Sequence, residues 1–132
     1  MLSILHHPQL ADCRRLFLRN YEIAINIGVH EFEKKGEQRV LINVDLYIPL
    51  ALSTPKSDQL NEVVDYDFMR GTIAARVAQG HVHLQETLCD DVAKIMLAHP
   101  LVRAVRVSTM KPDVYPDCEG VGVEVFQIKN EM

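Results

Sequence analysis

Two stretches in the first third of the chain alternate between apolar and polar residues. Every second residue is apolar from Ile23 to Val29, and the same holds from Val40 to Ile48. A period of two predicts two β-strands, each with one buried face. The connecting residues 31–36 are mostly polar and end in a glycine, so the two strands are predicted to form an antiparallel hairpin.

The middle of the chain changes to helical spacing. Asp65 is a suitable N-cap for a helix that runs to about Gln79, where Gly80 ends it. A second helix is predicted from about Leu84 to Ala98, just before a proline. The apolar stripes that support these helices are Phe68, Thr72, Ile73 and Val77 in the first, and Leu84, Leu88, Val92 and Ile95 in the second.

Two shorter alternating stretches follow the helices, from Val105 to Thr109 and from Val121 to Val125. The order strand–strand–helix–helix–strand–strand predicts an α+β fold, a four-stranded antiparallel sheet with two helices on one face. Such a sheet has two open edges, which proteins protect by pairing edges between subunits in a closed ring. The pattern therefore favours a homo-oligomer.

The length of 132 residues is that of one domain. Residues 1–14 show no clear period and include Pro8, so we interpret them as a flexible or loosely docked N-terminal extension. Residues 15–132 are then a single domain.

Composition excludes several classes of function. The net charge of −4 argues against the basic face of a nucleic-acid binder, and no apolar run approaches the roughly 20 residues that span a bilayer. Three widely spaced cysteines without a CxxC pair are typical of reduced thiols. With no signal-peptide core near the start, these features predict a cytoplasmic protein. His81 and His83 lack convergent partner ligands in the sequence, so we expect no metal site.

Four reactive side chains lie at predicted element ends, where functional sites are usually built. Glu33 lies in the hairpin turn, Tyr66 and Glu86 lie at the helix starts, and Lys111 ends the third strand. Together they could serve as acid, base and ligand anchor. Singly, each has a simpler explanation, since turn glutamates are usually solvated and a first-turn glutamate complements the helix dipole.

Several short segments, in this order and spacing, resemble the dihydroneopterin aldolase family from about residue 15 to residue 128. In that family a catalytic glutamate follows a glycine after five residues, as Glu33 follows Gly28. Tyr66 ends a segment similar to the one with the active-site tyrosine, Glu86 lies in a similar pterin anchor, and Lys111 matches the catalytic lysine. The segments are GVHEFE and QRV (28–33, 38–40), VVDY (63–66), LQETL (84–88), and KP with GVGVE (111–112, 120–124).

The resemblance implies a tunnelling fold, assembled as a homo-tetramer or homo-octamer with active sites between subunits. It implies a retro-aldol cleavage in folate biosynthesis, in which 7,8-dihydroneopterin yields 6-hydroxymethyl-7,8-dihydropterin and glycolaldehyde. It implies no cofactor, because the dihydropterin ring accepts the electrons that carbon–carbon cleavage releases. Neither a lysine Schiff base nor a zinc ion is then needed.

The resemblance also assigns substrate-binding residues at the start of the second helix. The Glu86 carboxylate can take paired hydrogen bonds from the pterin 2-amino group and ring N–H. Leu84 and Gln85 belong to the same substrate-binding segment. Gln85 stands where the family often has leucine, and this position is thought to present backbone groups to the pterin.

The catalytic roles fall to the remaining residues. Lys111 is the implied general base for the side-chain hydroxyl, directly or through water, and partial burial would favour its neutral amine. Tyr66, contributed by a neighbouring subunit, would contact the substrate, position water and protonate the enol-like intermediate. Glu33 would bind the substrate diol and balance the charge of Lys111.

Two alternatives remain open on the sequence. Dihydroneopterin triphosphate epimerases share the fold, and Lys34, Lys35 and Arg39 could form the cationic patch that a triphosphate needs. One chain could also combine cleavage with epimerisation of the substrate side chain. A non-catalytic pterin-binding ring is the second alternative, although binding alone would not require both Lys111 and Tyr66.

Overall fold

The computed structural model describes residues 8–129, without the side chains of Lys34 and Lys35. Within this range the chain forms four strands, two α-helices and short 3-10 turns at Pro8–Leu10, Glu31–Lys35, Leu50–Leu52 and Leu60–Glu62. The strands are β1 (Cys13–Ile25), β2 (Gln38–Pro49), β3 (Ala104–Lys111) and β4 (Val121–Ile128). The helices are α1 (Asp67–Val77) and α2 (Gln85–Leu97). None of the described helices is both long and apolar enough to cross a membrane.

The strands form one antiparallel sheet in the order β1-β2-β3-β4. This confirms the predicted α+β class, with its four-stranded sheet and two helices. Alternate residues of β2, β3 and β4 pack against α1 and α2 in one hydrophobic core. The largest fully buried side chains of this core are Ile25, Ile27, Ile42, Leu46, Ile48, Met69, Ile73, Leu88 and Met96.

β1 begins at Cys13, well before Ile23, where the alternation that predicts it begins. The earlier part does not continue that alternation because the strand contains an irregularity. The register with β2 shifts between Leu18 and Tyr21, where Asn20 has a positive φ of 50°. Before this bulge, even-numbered residues such as Leu18 pack against the core, and after it odd-numbered residues such as Tyr21 do so. A bulge changes which residues face the core, so the continuous strand does not show a single period. The predicted strand end was wrong at Val29, which is exposed outside the strand.

Part of the predicted extension also contacts the sheet. Leu10 is buried against Tyr47 and Ala104, and Arg103 Nη1 donates a hydrogen bond of 3.1 Å to the Gln9 carbonyl. β1 begins at Cys13, two residues before the predicted domain boundary. The division of the chain at residue 15 stays a prediction, and residues 1–7 of the predicted extension lie outside the described residues.

Both helices lie where their spacing predicts. Asp65 precedes α1, and its Oδ1 accepts a hydrogen bond of 2.9 Å from the Asp67 N–H. α2 has a different buried face from the predicted one, because Ile95 is exposed whereas Cys89 and Met96 are buried. The predicted stripe was therefore wrong at Ile95, and also at Leu84, which precedes α2 and is exposed.

Candidate functional site

A short parallel contact brings the first hairpin next to the start of α2. Ile27 forms an isolated parallel bridge with Val82, and the Gly28 N–H donates a hydrogen bond of 2.9 Å to the Val82 carbonyl. His81 Nε2 lies 3.0 Å from the Gly28 carbonyl and donates to it. The segment after Gly28 is thereby fixed against the residues that begin α2.

Glu33 is buried, with 3% of its surface exposed, although its position in a turn predicted solvation. Its carboxylate accepts hydrogen bonds from Lys111 Nζ at 2.6 Å, Gln38 Nε2 at 3.1 Å and the His30 N–H at 3.3 Å. Burial alone would raise the pKa of Glu33, but these donors and the Lys111 charge outweigh it. They lower the pKa from its ordinary 4.5 to about 2, so Glu33 is ionised at neutral pH.

The glycine that precedes this glutamate makes room for it. A Cβ atom on Gly28 would lie 2.5 Å from Glu33 Oε1 and 2.6 Å from Glu33 Cβ. Gly28 also has a φ of +130°, which side-chain-bearing residues rarely adopt. The five-residue spacing from Gly28 to Glu33 thus has a direct steric cause.

A cavity of about 200 Å³ brings together most of the predicted site. Glu33 and Lys111 form its buried end, and Glu86 contributes an exposed carboxylate from the first turn of α2. The residues that line it are Gly28, Val29, His30, Glu33, His83, Leu84, Gln85, Glu86, Lys111, Val114, Tyr115 and Val121. Glu86 of α2 and Lys111 of β3 therefore line the same space.

Tyr66 lies elsewhere on the chain. Its side chain is 65% exposed and lines a separate, mostly apolar groove of about 310 Å³, together with Leu16, Ile48 and Leu60. A single chain thus brings Glu33, Glu86 and Lys111 to one cavity and leaves Tyr66 outside it.

Sequence reasoning missed several further residues at this site, among them Gln38, Thr109 and Tyr115. Gln38 donates to both Glu33 and the Ile27 carbonyl, Thr109 donates to Gln85, and Tyr115 lines the cavity. Thr109 looks like an ordinary strand residue, and no sequence signal marks its contact with a helix start. Gln38 lies within a segment that carries the family resemblance, which is the one available signal.

Among the described residues we also looked for metal-ligating side chains and for reactive thiols. In the part of the chain that the structure describes, no group of three His, Cys, Asp or Glu side chains converges to hold a metal ion. Cys13, Cys89 and Cys118 are all free thiols, and burial raises the pKa of Cys89 to about 11.

The comparison with known families matches this geometry. The model of the dihydroneopterin aldolase family matches residues 16–126. The chain belongs to the dihydroneopterin aldolase family. Its members are lyases of folate biosynthesis, as the resemblance of the sequence motifs implies.

Known dihydroneopterin aldolases and an epimerase are among its relatives. The crystal structure of a dihydroneopterin aldolase from Burkholderia thailandensis bound to guanine is 65% identical, with a TM-score of 0.88 over 96% of this chain and 99% of that one. The Escherichia coli enzyme in complex with neopterin shares the fold, at 23% identity and a TM-score of 0.79 over 86% of this chain and 98% of that one. A dihydroneopterin triphosphate 2'-epimerase from Pseudomonas aeruginosa is 24% identical over 83% of this chain and 88% of its own length.

Proposed function

We propose that this chain cleaves 7,8-dihydroneopterin into 6-hydroxymethyl-7,8-dihydropterin and glycolaldehyde. The observation that carries the proposal is one cavity lined by the Glu86 carboxylate and by the Lys111–Glu33 pair. A planar ligand anchored at Glu86 would extend its side chain toward the amine. Such placement converts binding energy into orientation of the reacting atoms.

Glu86 is the proposed pterin anchor. Its carboxylate lies in the first turn of α2, beside the free backbone N–H groups of a helix start. The pterin 2-amino group and adjacent ring N–H can donate a pair of hydrogen bonds to one carboxylate. Guanine, which the Burkholderia relative binds, presents the same pair of donors, which supports an anchor of this type.

Lys111 is the proposed base and Glu33 its partner. The base removes a proton from the 2'-hydroxyl, the bond between C1' and C2' breaks, and glycolaldehyde leaves. The electron pair moves into the dihydropterin ring and then takes up a proton at C1'. An ammonium paired with Glu33 cannot accept a proton. We therefore propose that the substrate diol donates hydrogen bonds to the Glu33 carboxylate in place of Lys111, whose ammonium gives its proton to water before the amine acts as the base.

Tyr66 is proposed to act at the site of a second copy. Apolar side chains around the cavity are exposed at Val29, Phe32 and Leu84, and the groove beside Tyr66 exposes Leu60. β1 and β4 are the open edges of the sheet, and pairing them between copies would close a ring. A tetramer or octamer with sites between subunits would supply Tyr66 to the cavity.

We infer that the unphosphorylated substrate is preferred to the triphosphate, and the surroundings of Arg39 support this. Arg39 contacts Asp113 through two hydrogen bonds of 3.0 and 3.2 Å and forms an ion pair with Glu22 at 3.2 Å. The positive charge of Arg39, one of the three residues of the predicted cationic patch, is thus already balanced by the carboxylates of Asp113 and Glu22. The side chains of Lys34 and Lys35 lie outside the described part of the chain.

Release of glycolaldehyde tests the proposal against its alternatives. Purified protein should release glycolaldehyde from 7,8-dihydroneopterin, and Lys111→Ala should remove most of that turnover. Faster conversion of the triphosphate would favour the epimerase. Pterin binding without turnover would favour the non-catalytic ring. An epimerised substrate formed beside glycolaldehyde would show that one site does both.

The cytoplasm stays the predicted location, in keeping with three free thiols.

A further inference from the structure

The side chain of Gln85 links the start of α2 to two strands of the sheet. The Thr109 hydroxyl of β3 donates a hydrogen bond of 2.8 Å to Gln85 Oε1. Gln85 Nε2 donates one of 3.3 Å to the Val121 carbonyl of β4. A helix of this layer would ordinarily contact the sheet through apolar side chains, so two polar bonds from its first residue are a specific feature.

The two residues that Gln85 contacts, Thr109 and Val121, are both neighbours of Lys111, the proposed base. Thr109 and Lys111 are alternate residues of β3, both buried on the same side of the strand. Val121 is the residue that pairs with Lys111 across the β3–β4 ladder. Gln85 therefore holds the strand residue two positions before Lys111 and the partner strand directly beside it.

The same side chain precedes the proposed anchor. Glu86 follows Gln85 in the first turn of α2, so a shift of that turn would move its carboxylate relative to the Lys111 amine. Hydrogen bonds restrict direction as well as distance, whereas apolar contacts allow sliding. The Gln85 amide can thus fix the separation between anchor and base.

We propose that the Gln85 side chain is a positioning residue, which holds the pterin anchor in register with the base through Thr109 and Val121. The inference rests on the proposed function and deepens it. It assigns the side chain of Gln85 a role that its backbone groups alone would not have. Thr109 is its partner in this role.

Loss of the Gln85 side chain should affect turnover much more than pterin binding. Binding of the pterin edge requires Glu86 and the neighbouring backbone, which remain in a Gln85→Leu variant. Turnover requires the anchor and Lys111 in correct relative position, and small misplacements of reacting groups reduce rates strongly. Gln85→Leu should therefore lower kcat for glycolaldehyde release about tenfold while KM for 7,8-dihydroneopterin changes less than about threefold.

Thr109→Val provides a second, nearly isosteric variant that removes only the hydroxyl. It should lower kcat in the same direction, and the double variant should be little worse than Gln85→Leu alone, because Gln85→Leu already breaks the bond between Gln85 and Thr109. Gln79→Leu is the matched control, since Gln79 is exposed after the end of α1 and does not line the cavity. This control should keep the kcat and KM of the unmodified protein.

The outcomes distinguish this inference from the proposed function. An unmodified protein that releases no glycolaldehyde would overturn the proposed function and, with it, the role of Gln85. An active protein whose Gln85→Leu and Thr109→Val variants keep normal kcat would overturn the positioning role alone. So would equal losses in kcat and pterin affinity, or losses that add independently in the double variant. If Gln85→Leu fails to fold, Thr109→Val alone decides through the same split between kcat and KM.

Discussion

At the scale of single residues, Gly28 and Glu33 depend on each other, because the glutamate side chain fills the space that a Cβ on the glycine would need. Gly28→Ala should therefore lower the free energy of unfolding by roughly 2–3 kcal/mol, through strain at positive φ and displacement of Glu33. Gly36→Ala is the control, since among the described residues other than its chain neighbours no atom lies within 4 Å of its added Cβ; its effect should stay within about 0.5 kcal/mol. Urea unfolding of both variants measures this, and equal effects would contradict the steric explanation.

The ionised state of Glu33 links stability to pH. Its folded-state pKa of about 2 lies below the ordinary 4.5, so its stabilising contribution is full above about pH 4.5 and is lost as pH falls towards 2. The shift corresponds to roughly 3 kcal/mol. Glu33→Gln should therefore be less stable at pH 7, and its deficit against the unmodified protein should shrink between about pH 4.5 and pH 2.

Urea unfolding at a series of pH values, at fixed protein concentration, measures this difference. Glu37→Gln is the control, because Glu37 is an exposed carboxylate in the same connection. It should follow the unmodified protein throughout. A Glu33→Gln deficit that stays constant down to pH 2 would show that the carboxylate charge is not the source of stability.

Single residues at this site also show where sequence reasoning ends. Lys111, Glu33 and Glu86 were predicted as one site from segments resembling a family, and they line one cavity. Their catalytic and binding roles stay predictions. Burial of Glu33 was not predictable from its polar turn, because it depends on Lys111, 78 positions away along the chain. The link from Gln85 to Thr109 likewise arises from packing of a helix on a strand.

At the element scale, alternation predicted β2, β3 and β4 well, because each keeps one phase against the core. β1 was only partly predicted, since its bulge near Asn20 reverses the phase halfway. The helices were found from spacing and end signals, whereas the buried face of α2 was shifted because Ile95 points away from the core. Periodicity thus predicts elements wherever one face stays buried along their whole length.

A buried carboxylate between two arginines connects three strands on the face of the sheet that carries Tyr47 and Phe17. Asp45 of β2, which is 1% exposed, accepts a hydrogen bond of 2.7 Å from Arg106 Nε of β3 and lies 3.2 Å from Arg19 Nη1 of β1. Asp45→Ala removes the charged hydrogen bond from Arg106 and leaves two like charges, Arg106 and Arg19, without their carboxylate. Because the bond is made at a buried carboxylate, its loss should destabilise the fold by about 2–3 kcal/mol.

An ion pair between β1 and β2 that is exposed on both sides is the control for this prediction. Arg39 Nη1 lies 3.2 Å from Glu22 Oε1, and the two side chains are 47% and 58% exposed. Glu22→Ala should therefore cost less than about 1 kcal/mol, since solvent screens such pairs. Chemical unfolding of both variants compares them, and a loss at Glu22 as large as that at Asp45 would refute the burial argument.

At the scale of the whole molecule, the separation of Tyr66 from the cavity predicts complementation between inactive chains. A ring formed from equal amounts of Lys111→Ala and Tyr66→Ala chains, refolded together, should regain activity at about a quarter of its sites. At those sites an intact Lys111 meets a Tyr66 from the neighbouring copy. Mixing Lys111→Ala with Glu86→Ala is the matched control and should restore none, because both residues line the cavity of one chain. Glycolaldehyde release measures both mixtures. Activity no greater than the sum of the two separate variants would mean that Tyr66 serves its own chain or has no part in turnover.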